Sequence, residues 1–151
     1  MRYLIGLGNY TAYDDSVGVR VVEYVVERSL DRGFRAVDLG ADSLDLIAYL
    51  VPGTKAILLV DAADMGLAPG DWRFFTPDEV ATRKEVPSGS THAGDVLHVL
   101  DLARRTGSPI PPLLFLGIQP AEMRPEIGIS PALASRLPEY AAMAVARLLQ
   151  F

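Results

Sequence analysis

The hydrophobic positions of this chain change period several times between strand and helix. Residues 3–5 form a short apolar run closed by Gly6 and Gly8, which predicts a buried strand. Over 15–28, Val17, Val21, Tyr24 and Val25 recur at helical spacing while Arg20, Glu23 and Glu27 fall elsewhere, so a helix is expected. A second strand is predicted over 34–37, then a short helix from about Ser43, whose hydroxyl is a candidate cap. The run 56–60 is continuous, apolar and bounded by Gly53 and Asp61, the pattern of a central strand buried on both faces. A shorter strand is predicted over 72–75, after the turn Pro69-Gly70-Asp71. Residues 78–89 are mostly polar without a period and are expected to be a mobile loop. A helix over 92–105 follows, with Gly107 as its terminator, and then a last buried strand over 112–117. Ser130-Pro131 opens the closing helix, a cap residue followed by proline at the first helical position. Pro138 predicts a kink or a second helix start.

Strands alternating with helices imply a largely parallel sheet covered on both faces. The expectation is one three-layer α/β/α domain over 1–151 with about five strands and no repeat or linker. At 151 residues such a domain buries about two-thirds of its unfolded surface. The net charge of −5 opposes attraction to phosphate backbones, so no nucleic-acid partner is expected. Arg104-Arg105 and Arg83-Lys84 are too short to be a basic patch and read as solvated helix ends and loops. No apolar run approaches the roughly 20 residues of a membrane span, and residues 3–7 are too short for a signal peptide. A cytoplasmic protein with no membrane partner is expected. The absence of cysteine excludes disulfides, thiolate metal sites and a cysteine nucleophile. Carboxylates, imidazoles and hydroxyls are left to do any chemistry.

Ligands of open α/β sheets bind beyond the carboxyl ends of the strands. Gly6-Leu7-Gly8-Asn9 and then Tyr13-Asp14-Asp15-Ser16 follow the first strand, Asp61 follows the central one, and Gly117-Ile118-Gln119-Pro120 the last. Ser90-Thr91-His92 precedes the third helix and can reach the same edge. The glycine pair lacks the third glycine of a dinucleotide fingerprint, since Thr11 stands there. Asp14 and Asp15 are neighbours and cannot both point the same way, so one can cap the helix while the other faces the cleft. His92 in a first helical turn is expected to be held neutral by the helix dipole, the form that binds metal. His98 lies about 240° further around the helix and points elsewhere. Asp15, Asp61 and His92 thus supply two carboxylates and one imidazole, a set that suits zinc, nickel or manganese with coordination positions left open.

Gly6-x-Gly8-Asn9-x-x-x-x-Asp14-Asp15-x-x-Gly18 resembles the N-terminal signature of hydrogenase maturation endopeptidases. The resemblance continues through Asp38, Val60-Asp61-Ala62, Thr91-His92, Gly117-Ile118-Gln119-Pro120 and Pro125-Glu126-Ile127-Gly128-Ile129-Ser130-Pro131. It implies a phosphorylase/hydrolase-like fold. It also implies a peptidase that trims a C-terminal extension from the nickel-loaded large-subunit precursor of a nickel–iron hydrogenase. The residues matching Asp15, Asp61 and His92 contact metal in that family. Nickel is presented by the substrate, with zinc or cadmium standing in for it in isolated protein. The family's Asp/Glu-Gly-x-Thr motif, implicated in cleavage, reads Asp38-Leu39-Gly40-Ala41 here, which makes Asp38 the candidate catalytic residue. A relative that binds nickel or the precursor without cutting is the alternative. Peptidyl-tRNA hydrolases also begin Gly-Leu-Gly-Asn, but continue with Pro-Gly and a catalytic histidine where this chain has Tyr10-Thr11 and Asp14-Asp15.

Overall fold

The computed structural model describes residues 1–82 and 91–151. Arg83-Lys84, the expected loop over 83–89 and Ser90 lie outside the described residues. Five strands form one sheet: β1 (Arg2–Leu7), β2 (Arg35–Gly40), β3 (Ala56–Ala62), β4 (Trp72–Phe75) and β5 (Leu113–Ile118). Their order is β2-β1-β3-β5-β4, with all pairs parallel except β4 against β5. The largely parallel five-stranded sheet read from the sequence is therefore the one found.

Strand alternation sorts the core into two layers. Leu4, Leu58, Val60, Leu114 and Leu116 pack against α1 (Val17–Glu27) and against α5 (Leu137–Leu148), which follows the single turn α4 (Pro131–Ala134). Ile5, Leu7, Ile57, Leu59 and Phe115 face the other way, toward the 3-10 segment Ser43–Tyr49, α2 (Pro77–Thr82) and α3 (Thr91–Arg105). Asp61 continues the row Ile57, Leu59 and so belongs to the α3 face of the sheet. Among the described residues no helix is long and apolar enough to cross a membrane.

Four local expectations are corrected. Residues 77–82 are helical, because Thr76 and Glu79 form a reciprocal capping box: the Glu79 N–H donates to Thr76 Oγ1 and the Thr76 N–H to Glu79 Oε1, both at 3.2 Å. The segment from Ser43 is a 3-10 helix, and the Ser43 hydroxyl is buried without a partner rather than capping. Ser130 occupies the N-cap of α4 and Pro131 its first turn, but the hydroxyl of Ser130 is turned to Asp14. Neither Asp14 nor Asp15 caps α1, whose N-cap is Ser16; both lie in a 3-10 segment, Tyr13–Ser16, that precedes it. Pro138 falls in the first turn of a new helix, as its restricted backbone requires.

Glycines let that 3-10 segment and α1 settle directly on the strand ends. A Cβ on Gly8, whose φ is +147°, would lie 2.0 Å from the Asp15 carbonyl oxygen. One on Gly18 would lie 2.1 Å from the Val60 oxygen and 2.4 Å from that of Leu7. Backbone oxygens held in a sheet cannot yield, so Gly18→Ala is expected to lift α1 from β1 and β3. The loss should be about 2 kcal/mol of stability or slightly more, read by chemical denaturation. A stability within error of wild type would show that the helix relaxes without penalty.

Candidate metal and catalytic site

The three residues singled out as metal ligands converge. One ligand atom each from Asp15, Asp61 and His92 lies within 4.8 Å of the others, and no other such group of three is found among the described residues. Each arrives for a local reason. Asp61 is the last position of β3 on the α3 face, one residue before the strand ends, and is 1% exposed. His92 stands in the first turn of α3, which covers the same sheet face, and is 6% exposed. Asp15 reaches over the strand ends from the 3-10 segment that Gly8 admits. The Asn9 side chain accepts from the Thr11 N–H at 3.0 Å and closes the turn after β1. That turn aims the Asn9 N–H at Asp15 Oδ2, also at 3.0 Å. His98 is exposed and does not join the cluster, in keeping with its angular position on the helix.

The electrostatics differ from the expectation of a neutral histidine. His92 Nε2 lies 3.0 Å from Asp15 Oδ2 and 3.2 Å from Oδ1. That hydrogen bond lifts the imidazole to about 9, against burial, with the charges of Asp61, Asp15 and Asp95 adding to the rise. The helix dipole loses to a carboxylate in direct contact. Burial pushes the Asp61 carboxyl up to about 8; His92 and, more weakly, the adjacent Ala62 N–H oppose this and Asp15 reinforces it. That N–H lies outside hydrogen-bond geometry to either oxygen. Burial also raises Asp15, but the bonds from His92 and the Asn9 amide, with the histidine's charge, outweigh it and leave the carboxyl below its ordinary value. Asp95 was not picked out in the sequence, although a carboxylate three positions after His92 on a helix is a neighbour by spacing.

Both oxygens of Asp61 and Nδ1 of His92 are buried without a hydrogen-bond partner. Unpaired buried polar atoms are rare because each forfeits its hydration. The two Asp61 oxygens sit in a cluster of oxygen and nitrogen donors that fits a bound divalent cation, which would satisfy them together with the Asp15 carboxylate and the facing His92 nitrogen. Such binding must displace the protons held by His92 and Asp61. Affinity is therefore expected to rise with pH up to about 8 to 9, with up to two protons released per ion, and to flatten above. Titration calorimetry in buffers of different ionisation enthalpy reads the proton count; affinity independent of pH below about 8 would contradict it.

Asp38 is not gathered into this cluster. It is exposed near the end of β2, and its Oδ1 accepts the Gly40 N–H at 2.7 Å. Gly40 has φ +57°, so glycine is retained where the backbone needs it. Leu39 has no such φ and packs against the α3-side core, so losing a glycine there leaves the turn unstrained. The turn nonetheless abuts the site: the Gly8 N–H donates to the Gly40 oxygen at 2.9 Å, and the next residue, Asn9, holds Asp15.

Asp14 has a role the sequence did not reveal. It is fully buried and accepts four hydrogen bonds, from the backbone N–H groups of Ala121, Glu122 and Ser130 and from the Ser130 hydroxyl, at 2.7–2.9 Å. It ties the loop after β5 to the segment carrying Asp15. Gln119 anchors the other side of that loop, its Oε1 accepting from the Met65 N–H at 2.7 Å.

An acid–imidazole cluster at the carboxyl edge of a parallel sheet marks an α/β protein with a candidate metal site. The family described as HycI, hydrogenase maturation protease, matches residues 19–147. The chain is 36% identical over 121 residues to the hydrogenase expression/formation protein HupM of Azotobacter chroococcum mcd 1, covering 80% of this chain and 57% of that protein. It is 31% identical to the hydrogenase 3 maturation protease of Escherichia coli K12, over 78% of this chain and 71% of that protein. The hydrogenase maturating endopeptidase HybD of Escherichia coli superposes with a TM-score of 0.81 at 23% identity, over 99% of this chain and 92% of that one. This chain belongs to the hydrogenase maturation protease family. It spans less than two-thirds of the length of HupM and of the HoxM protein of Azotobacter vinelandii, 57% and 58% respectively.

Proposed function

We propose that this protein is an endopeptidase that removes a C-terminal extension from the nickel-loaded large subunit of a nickel–iron hydrogenase. The observation that carries the reading is the cluster of Asp15, Asp61 and His92, whose unpaired buried atoms call for a cation. Family membership supplies the substrate class. The nickel belongs to the substrate. The precursor docks with its nickel against the three side chains, which fixes the position of its polypeptide relative to Asp38. Asp38 has one oxygen, Oδ1, committed to the Gly40 N–H, and a second, Oδ2, at the exposed end of β2. The second takes a proton from a water whose oxygen adds to the scissile carbonyl carbon. The proton passes to the departing nitrogen as the carbon–nitrogen bond breaks.

Incubation with nickel-loaded and nickel-free precursor, followed by mass spectrometry, tests the proposal. Only the loaded precursor should lose its extension; retention of it by both would leave a binding protein instead. That second reading is favoured by the exposure of Asp38 and by Ala41 standing where the family motif has threonine. Asp38→Asn separates the two functions. It should keep nickel affinity within about twofold, because Asp38 is outside the ligand cluster, while cleavage falls by about 100-fold or more. Unchanged cleavage by this variant would remove Asp38 from the chemistry.

A further inference from the structure

We propose that the free edge of β2 receives the precursor's C-terminal extension as an added β-strand, which lays the scissile peptide beside Asp38. This rests on the reading of the protein as a precursor protease and names the surface that holds its substrate.

β2 is the outermost strand on its side of the sheet, and β1 is its one partner among the described residues. Along 35–38 its outer edge has no backbone partner among the described residues; beyond it the Leu39 oxygen accepts the Asp42 N–H and the Gly40 N–H donates to Asp38. An exposed strand edge is a template for another chain, and folded proteins normally blunt it. β2 has six residues, contains no proline and keeps an unbroken register from Arg35 to Asp38. The irregularity comes after that stretch, where Leu39 is passed over between the pairs Gly6–Asp38 and Leu7–Gly40. A bulge at the end of an edge strand re-aims the residues around it and terminates pairing, and such bulges cluster beside active sites. Here it falls directly after the candidate catalytic carboxylate.

The other edge is a weaker candidate. β4 has four residues and carries no residue of the candidate site, and β5 separates it from Asp61. β2, by contrast, is joined to the metal cluster by a short path: Gly40 oxygen to Gly8 N–H, then Asn9 N–H to Asp15. A polypeptide whose metal sits on Asp15, Asp61 and His92 is thus brought to the end of β2. Main-chain pairing is indifferent to side chains and needs only an extended segment. A tail added along the four regular residues spans about 13 Å of edge. It makes the precursor bind at two linked points, so the metal contact raises the effective concentration of the tail at the edge. A nickel-free precursor offers the edge contact alone.

Hydrogen exchange on the full chain tests the placement. The Asp38→Asn variant is mixed with nickel-loaded large-subunit precursor, and in parallel with the same loaded subunit lacking its extension. Wild-type protein is sampled in the first seconds after mixing as a second arm. Amides within 35–40 should exchange at least about tenfold more slowly with the full precursor, and at the free rate with the truncated one. The inference is overturned if the precursor binds or is cut while exchange over 35–40 is unchanged, or is slowed equally without the extension. Failure of the wild-type protein to bind or cut any loaded precursor would instead overturn the protease reading, and this inference with it.

Discussion

Asp61→Asn is expected to weaken binding of a divalent cation by about 100-fold or more and to abolish precursor processing, with the fold intact. The side chain sits 1% exposed at the end of a strand whose every residue is buried, and neither of its oxygens has a partner. In the metal-free protein its carboxyl holds a proton up to about pH 8. Asparagine has nearly the same shape and, like the protonated acid, carries no charge. The substitution should therefore change metal-free stability by no more than about 1 kcal/mol. What it removes is the anionic donor that the site produces when a cation displaces the proton. His92→Ala should lose affinity to a similar extent, since it deletes the one nitrogen ligand. Calorimetric titration with nickel or zinc, together with a denaturation curve, separates loss of the site from loss of the fold. Wild-type affinity in both variants would end the assignment of the cluster as a metal site.

The contrast between these residues and the rest shows what a linear pattern can carry. Ile57, Leu59 and Asp61 share one face because a strand repeats every two residues, so the run 56–60 already set the side on which Asp61 lies. The glycines at 6, 8 and 18 were visible as a motif, but the reason for them is a set of backbone oxygens on other elements. The charge of His92 was misread because the deciding partner, Asp15, is 77 residues away. Only the local dipole was legible. Strand order is likewise absent from periodicity. Even so, the mixed sequence of β2, Arg-Ala-Val-Asp-Leu-Gly, against the wholly apolar 56–60 run is the composition of an edge strand against a central one. The helix over 77–82 was missed although its capping box, Thr76 and Glu79, was in plain sequence.

Asp14 was least legible, and its substitution should destabilise the fold most. Asp14→Ala is expected to lower the unfolding free energy by roughly 3–5 kcal/mol. The carboxylate is fully buried, yet it is matched by four donors. Removing it strands those donors unequally. Ala121 and Glu122 are exposed residues whose N–H groups can turn to water, whereas the Ser130 bonds are buried and its donors stay dry. Oδ2 accepts three of the four bonds and Oδ1 the fourth, from the Ser130 N–H at 2.7 Å. Asp14→Asn can keep its oxygen at the threefold position but sets its NH2 against the Ser130 N–H, losing the fourth bond to a donor–donor contact. Its loss should be smaller than that of alanine but still well above about 1 kcal/mol. Ser130→Ala, which removes one hydroxyl donor and leaves no orphan N–H, should be milder still, near 1 kcal/mol. Urea denaturation of the three variants reads this order. Asp14→Ala within about 0.5 kcal/mol of wild type would mean that the loop is held by other contacts. Because the same loop packs on the segment that presents Asp15, with the Tyr13 N–H donating to the Glu126 oxygen at 2.9 Å, freeing it should also loosen the metal site. Asp14→Ala is thus expected to weaken cation binding without removing a ligand, and the ordering of the series should carry over from stability to affinity.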